Sequence, residues 1–551
     1  MHIDSASRTS PNGQVYTRHL LRTSFRKNGK VKKSTIANLS HCSKEEIDAI
    51  KLALKHKKDL NSLGTLSKDV SIKQGSSFGA TYILNEVAKK IGLTKILGNS
   101  QEGKLCLWQV IARTMNQGSR LSAVRLAQHH NATSILGLKG FNEDHLYKNL
   151  DWASEHQGDI EQALMNHRSQ KSQGYYLYDI TSSYLEGDQN ELANWGYNRD
   201  KKNGKMQIVI GLLCDSEGIP LSIEVFDGST ADCKTVGDQM KKISDQWGCE
   251  SITLVGDKGM IQGPQIKSIE ESGHKFITTI AKDQIEKIVV AAGYQTTLLD
   301  ENLLDVIHDG YRYIVRRNPI QADNTSRKRS NLIDTVRYFI GLQNEYLKEH
   351  PKAKSQTVLK KVHDKISKFK LGKFLSVSLD EKEQRYLDMV IDEEKMKEAS
   401  KLDGCYAMKT NVEKSVLSKE NVQKKYKGLS LVEDAFRCTK TEMLEMRPIH
   451  VRLEKRTRGH VFIVMLSYLM IKELEKAWRE LDLTVEEGLD LLKCYQTVDL
   501  TVNSKLITHK VPTPNKMTKK LFELLEIAIP KSIPTSNEVV ATRKKIGKDR
   551  K

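Results

Sequence analysis

From Met206 to Cys214 the chain reads M-Q-I-V-I-G-L-L-C, an apolar run broken only by Gln207. A run this short and this continuous predicts a strand buried on both faces, at the centre of a sheet covered by helices. The flanking residues extend the pattern. Tyr175–Ile180 predicts a first strand ending in the acid Asp179, and Asp215-Ser216-Glu217-Gly218 a turn into a third strand at Leu221–Phe226. A helix over 235–247, a strand over 252–256 that ends at Asp257, a helix over 262–272 and a strand over 276–280 follow. The predicted order is β-β-β-α-β-α-β, an α/β fold with a mixed five-stranded sheet and flanking helices.

The chain ahead of this core is different. Two β-rich runs over 14–39 meet at Asn28-Gly29, the strongest short hairpin signal. Arg18, Arg22, Arg26, Lys27, Lys30, Lys32 and Lys33 decorate them, as a ribbon laid against phosphates or a lysine-protected edge would require. Ser43-Lys44-Glu45-Glu46 is a capping box opening a helix to about Lys58, and 60–78 reads as a polar linker. From Ala80 to Arg168 apolar stripes recur at helical spacing (Ile83, Leu84, Val87, Ile91; Leu105, Val110, Ile111; Leu121, Val124, Leu126), with breaks at Gly98 and Gly140. This reads as an all-α module, whose stripes fit a core better than helices docked in a DNA groove.

Residues 283–400 interrupt the core pattern with a possible strand at Tyr311–Val315, the basic run Arg327-Lys328-Arg329 and charged helices to about Leu375. A return strand is expected over Gly404–Thr410 and an apolar helix over Val461–Trp478. Val540–Lys551 carries six cations and one acid and reads as a disordered basic tail. The expected divisions are 1–70, a basic hairpin plus helix; 71–170, helical; 171–282 and 401–480, the two parts of the core; 283–400, an insertion; and 481–551, C-terminal helices and tail.

Charge narrows the partners. Lys and Arg number 88 against 69 Asp and Glu, a net of +19, which favours a polyanion. No apolar run reaches ~18 residues and no basic amphipathic helix carries aromatic anchors, so nucleic acid is favoured over membrane. Eight cysteines, none in a C-x-x-C pair, argue against structural zinc and a disulfide scaffold and fit a reducing cytoplasm.

Tyr426–Lys440 carries the most pointed chemistry. As one helix, its Tyr426, Glu433, Arg437 and Lys440 fall within about 40° of a common line, with Leu431, Val432 and Ala435 opposite. The same stretch also reads as structure, because Ser430-x-x-Glu433 is a capping box and Gly428 a break. Asp179 and Asp257 bear on the choice. Sites in open α/β sheets form beyond strand ends, and strands one and four are expected to be neighbours. Three clustered carboxylates repel one another unless hard divalent cations lie between them. Two such ions serve phosphoryl transfer. Asp227 and Asp232 are weaker candidates, a turn acid and a residue near a helix start.

At these residues the chain resembles a known family. Tyr426-x2-Leu429-x3-Glu433-x6-Lys440 resembles the Y-x2-R-x3-E-x6-K signature of bacterial DDE transposases of the insertion-sequence-four group. Tyr178-Asp179-Ile180-Thr181 and Gly256-Asp257-Lys258-Gly259-Met260 are similar to the blocks around that group's two aspartates. The long separation of Asp257 from Glu433 matches its insertion. The basic hairpin, Arg447-Pro448-Ile449-His450 and Arg458-Gly459-His460 look like its insertion-sequence-sixteen-thirty-four branch.

The resemblance implies a ribonuclease-H-like core with Asp179, Asp257 and Glu433 as catalytic metal ligands for two Mg²⁺ or Mn²⁺ ions. On the helical face itself, Arg437 and Lys440 are expected to grip the DNA backbone, and Tyr426 to hydrogen-bond a phosphate or stack on a base. It implies cut-and-paste transposition: cleavage at element ends and strand transfer into target DNA. The partners would be double-stranded DNA (terminal inverted repeats and target) and a second copy in a homodimer. A structure-specific nuclease on the same core, or a non-catalytic DNA-binding descendant, are the rival readings. Leu429 departs from the signature arginine: either Arg437, on the same helical face, takes its role or the branch does without it. The insertion lacks tryptophan, leaving Tyr311, Tyr313 or Phe339 for any base stacking in a hairpin intermediate.

Overall fold

In the computed structural model, which describes residues 1–58, 70–168, 174–247, 251–291, 303–380, 385–502 and 505–542, the Met206–Cys214 run lies in a strand whose every residue is buried, Gln207–Asp215. The N-terminal residues form a separate three-stranded antiparallel sheet of His2–Thr9 (β1), Val15–Lys27 (β2) and Lys30–Asn38 (β3). Asn28 and Gly29 both take positive φ, 52° and 72°, as a two-residue turn matched to strand twist requires. β1 is not legible in the sequence: H-I-D-S-A-S-R-T has no apolar alternation, and only its pairing with β2 makes it a strand. The Ser43/Glu46 capping box closes as expected, and its helix is Lys44–Lys55.

The expected linker at 60–78 falls partly outside the described residues. Its remainder is a strand, Val70–Ser77 (β4), rather than polar coil. Its partner is supplied by the far end of the chain, at 496–502, and its Ile72 stays 71% exposed, so no local apolar pattern betrays it.

The central sheet is assembled from Tyr175–Tyr184 (β5), Gln207–Asp215 (β6), Pro220–Phe226 (β7), Thr253–Val255 (β8), Lys275–Thr279 (β9), Leu304–His308 (β10) and Tyr311–Arg317 (β11). The insertion adds a hairpin of Leu375–Leu379 (β12) and Leu387–Ile391 (β13), and the chain returns through Cys405–Thr410 (β14). The spatial order is β10-β11-β14-β9-β8-β5-β6-β7. The sheet is mixed: β5 pairs parallel with β8 and β8 with β9, and every other neighbour is antiparallel. The five strands expected of the core are one end of an eight-stranded sheet. The other three come from the return strand and from two strands within the expected insertion. The rest of the insertion, including helices Pro319–Glu349 and Ser355–Phe369, encloses its own core of Val336, Ile340, Val358, Val362 and Ile366.

Alternation along β5 divides two cores. Tyr176, Tyr178 and Ile180 pack with Val236, Met240, Ile266 and Ile269 on one face, while Leu177 joins the larger core on the other. That larger core centres on the helix Glu454–Trp478, buried around its whole circumference from Val461 to Ile471. It extends the apolar helix expected from Val461 and lies under the helical module 79–168. Gly459 permits the closest approach, because a Cβ there would stand 2.1 Å from the Leu150 carbonyl oxygen. After helix Val485–Lys493 the chain forms Gln496–Val502 (β15), Lys505–Lys510 (β16) and Ser532–Ile533 (β17), a sheet ordered β17-β16-β15-β4. Most of the expected basic tail, 543–551, lies outside the described residues. No described helix is long and apolar enough to cross a membrane.

Candidate active site

The two aspartates are brought together by register. β5 and β8 run parallel with Tyr175 opposite Thr253 and Leu177 opposite Val255. Two residues further on, each chain reaches an acid, Asp179 and Asp257, on the same face as Leu177 and Val255. β8 ends at Val255 while β5 continues to Tyr184, still paired with β6. Asp179 is therefore inside its strand, whereas the sequence pattern places it at the strand's end. The space that β8 vacates opens the cleft beside it.

Glu433 arrives on the helix Leu429–Arg437, which follows Lys419–Lys427 through Gly428. Gly428 keeps right-handed helical angles, φ −58° and ψ −19°, so the backbone turns on in the same sense from one helix into the next, and Tyr426 and Glu433 line the same cleft. The Ser430/Glu433 capping box does not form. Because the helix does not restart at Ser430, that hydroxyl donates to the Lys427 carbonyl oxygen, 3.0 Å, and Glu433 faces the cleft. Val432 and Ala435 are buried as expected. Gly428 sits against β5, where a Cβ would lie 3.5 Å from the Leu177 methyl groups.

The cleft, about 1110 Å³, is lined by Asp179, Asp257 and Glu433 together with Tyr426, Leu429 and Asp232. Burial, reinforced by Glu433 and Asp257, pushes the Asp179 carboxyl up to about 6, although the backbone N–H of Ile180 donates to it at 2.8 Å and Arg199 opposes the rise. The Tyr426 hydroxyl donates to Asp257 Oδ1 at 3.5 Å and lies 3.3 Å from Thr279 Oγ1; burial raises its pKa.

The expected cations go elsewhere. Arg437 pairs with Asp434 at 2.5 Å and does not line the cleft, whereas Leu429 does. Lys440 lies in the widened π turn Cys438–Glu442 and is buried, its ammonium 3.0 Å from Thr181 Oγ1 and 2.5 Å from Asp200. Asp200 also accepts from Arg447. Cations reach the cleft from four other elements: Arg199, Lys282, Arg316 and Lys427. Arg199 bridges to Asp232 at 2.5 Å. Asp232, in the first turn of Asp232–Lys241, is thus part of the cleft, while Asp227 caps a turn at Ser229. Sequence reasoning misses Arg199 and Asp200 because Asn198-Arg199-Asp200-Lys201-Lys202 reads as a polar loop. Tyr311, bonded to Glu270, the buried Tyr313, and Phe339 beneath Lys365 all lie outside the cleft lining.

Among the described residues no three carboxylate, histidine or cysteine side chains stand close enough to hold a metal ion. The acids share the cleft without converging: Asp179 is turned to its neighbour's amide and Asp257 to Thr279 and Tyr426. Their donor chemistry nonetheless suits a hard divalent cation, since all three present carboxylate oxygens to one cleft.

The family model described as the transposase DDE domain matches residues 171–470, over half of the chain, and that of the IS1634 family transposase N-terminal domain matches residues 3–66. A comparison with curated proteins finds no match. Among solved structures, a cryo-EM structure of the piggyBac transposase synaptic complex with hairpin DNA is similar at 9% identity and a TM-score of 0.34, over 75% of this chain and 76% of that one. The matched segment spans the central sheet and carries Asp179, Asp257 and Glu433, and the chain belongs to the DDE transposase family, as an insertion-sequence transposase of the IS1634 type.

Proposed function

We propose that Asp179, Asp257 and Glu433 are the catalytic acids of this transposase, acting on a DNA phosphodiester in the cleft they line. The observation that carries the reading is the parallel register of β5 and β8, which sets Asp179 beside Asp257 on the face covered by the Glu433 helix. The order β7-β6-β5-β8-β9, three antiparallel strands followed by two parallel ones, supports a ribonuclease-H-like core. The three acids would hold two Mg²⁺ or Mn²⁺ ions, which supply Lewis acidity and charge neutralisation at the scissile phosphate. Arg199, Arg316 and Lys427 grip the flanking phosphates, and Tyr426 orients Asp257. Both steps, cleavage at the element's end and attack of the freed 3′-hydroxyl on target DNA, are in-line displacements, so positioning carries much of the rate.

Double-stranded DNA is the partner, with the basic N-terminal sheet, the helical module and parts of the insertion recognising the ends. Two ends must be processed together, which calls for a homodimer. The test is cleavage of labelled element-end DNA in Mg²⁺. Asp179→Asn, Asp257→Asn and Glu433→Gln should each abolish nicking while leaving end binding intact. Wild-type cutting by any one of them removes that residue from the site.

A further inference from the structure

We propose that Trp195 and Tyr197 form a stacking platform for unpaired bases of the DNA strand entering the cleft. The inference rests on the reading of the cleft as the DNA-cleaving site. Both residues lie in the loop joining β5 to β6, in the run Asn194-Trp195-Gly196-Tyr197-Asn198-Arg199-Asp200-Lys201-Lys202. Trp195 is 60% and Tyr197 82% exposed. Rings this large are left in water at a considerable hydrophobic cost.

The loop that carries them is pinned. Asn194 and Gln207 exchange backbone hydrogen bonds of 3.1 and 3.0 Å, the Gly228 amide donates to the Leu192 carbonyl at 3.0 Å, and the Arg199 amide donates to Ser182 Oγ at 2.9 Å. Gly196, between the two rings, lies flat on the Gly228 carbonyl, where a Cβ would come within 2.2 Å. The backbone is thus held against the core while both rings project outward.

The platform adjoins the site through Arg199. Its guanidinium stands 5.7 Å from the Tyr197 ring centroid, and the same residue lines the cleft with Asp179, Asp257 and Glu433. Lys201 and Lys202 continue the loop as exposed cations. Aromatic faces interleaved with cations are what single-stranded nucleic acid requires: bases stack while the cations track the backbone. In a paired duplex the base faces are already stacked on one another, so the rings select unpaired nucleotides and the lysines do not discriminate.

The test uses the full-length protein in EDTA, with a duplex bearing a short unpaired flap, the same duplex fully paired, and 2-aminopurine in the flap. The wild type should bind the flap DNA more tightly and quench the 2-aminopurine. The Trp195→Ala/Tyr197→Ala variant should lose about tenfold or more on flap DNA, together with the quench, from loss of stacking. It should keep paired-duplex affinity within about twofold and, since both side chains are exposed, an unchanged melting temperature. Trp195→Phe/Tyr197→Phe should retain most of the flap preference. A double alanine variant that prefers and quenches flap DNA like the wild type overturns the platform, as does a wild type with no preference. Metal-free binding is independent of cleavage: Asp179→Asn protein should show the full flap preference even if Asp179 proves not to be catalytic.

Discussion

Lys440 places its ammonium 2.5 Å from the Asp200 carboxylate inside the protein, joining the turn after the Glu433 helix to the loop after β5. Lys440 thereby holds the helix that presents Glu433 over the sheet, instead of facing the cleft. Asp200 is the hub, since Arg447 and the Tyr184 amide share it.

Loss of the two partners should differ in cost. Asp200→Ala leaves two cations facing each other without their anion, and breaking a buried pair this way costs about 3–5 kcal/mol. Lys440→Met leaves Asp200 with Arg447 and should cost less, about 1–2 kcal/mol. Thermal unfolding should rank Asp200→Ala well below Lys440→Met, with faster hydrogen exchange in Leu429–Arg437 for both. The reverse ranking would mean that Asp200 is not the hub.

The cations lining the cleft should report themselves through salt. Each phosphate neutralised on binding duplex DNA adds close to one to the slope of log affinity against log salt. Arg316→Ala and Lys427→Ala should each lower that slope by about one. Lys440→Met should leave it unchanged, because Asp200 already neutralises that ammonium. Titrations of DNA binding at several salt concentrations measure all three; a lowered slope for Lys440→Met would put that side chain on the DNA.

What is legible in the sequence and what is not divides along physical lines. Met206–Cys214, the Asn28-Gly29 turn and the Ser43/Glu46 box are local signals, and the chain folds there as they direct. β4 and β1 escape because their partners, not their own side chains, make them strands. Asp179, Asp257 and Glu433 are visible by type and position and do share one cleft. The Ser430/Glu433 box is misleading because a spacing rule cannot tell a helix start from its interior; the angles at Gly428 decide that. Arg437 and Lys440 carry charge in the right helical phase, but phase does not reveal that Asp434 and Asp200 take them up. Arg199 and Asp200 can be found only by asking why a dense charge cluster sits between two buried strands.

Glycine positions give predictions of opposite sign. At Gly459 a Cβ would collide with the Leu150 backbone at 2.1 Å, so Gly459→Ala must push the central helix off the helical module. Overpacking of this kind costs about 1–3 kcal/mol. Gly237 is exposed in the helix Asp232–Lys241, and a Cβ added there would meet nothing within 4 Å, so Gly237→Ala should stabilise by up to about 1 kcal/mol through helix propensity alone. Melting temperatures that move in the same direction for both variants would contradict this packing.

His130, at the end of the helix Arg120–His129, supplies a pH dependence. Burial, with Lys493 and His129 adding to it, lowers its pKa to about 4 from the ordinary 6.5. Its buried Nδ1 has no hydrogen-bond partner among the described residues, so nothing there rewards protonation. Between about pH 6.5 and 4 the unfolded chain binds a proton at this position that the folded chain refuses. Stability contributed by the neutral ring is therefore full above pH 6.5 and declines as pH falls through that window. His460, buried beside Arg120 at 2.7 Å and held well below its usual value, acts in the same direction. Melting temperature should fall on acidification across pH 6.5 to 4, and His130→Gln, which cannot titrate, should make the fall shallower. An unchanged slope in that variant would show that His130 takes up its proton in the folded protein as readily as in the unfolded one.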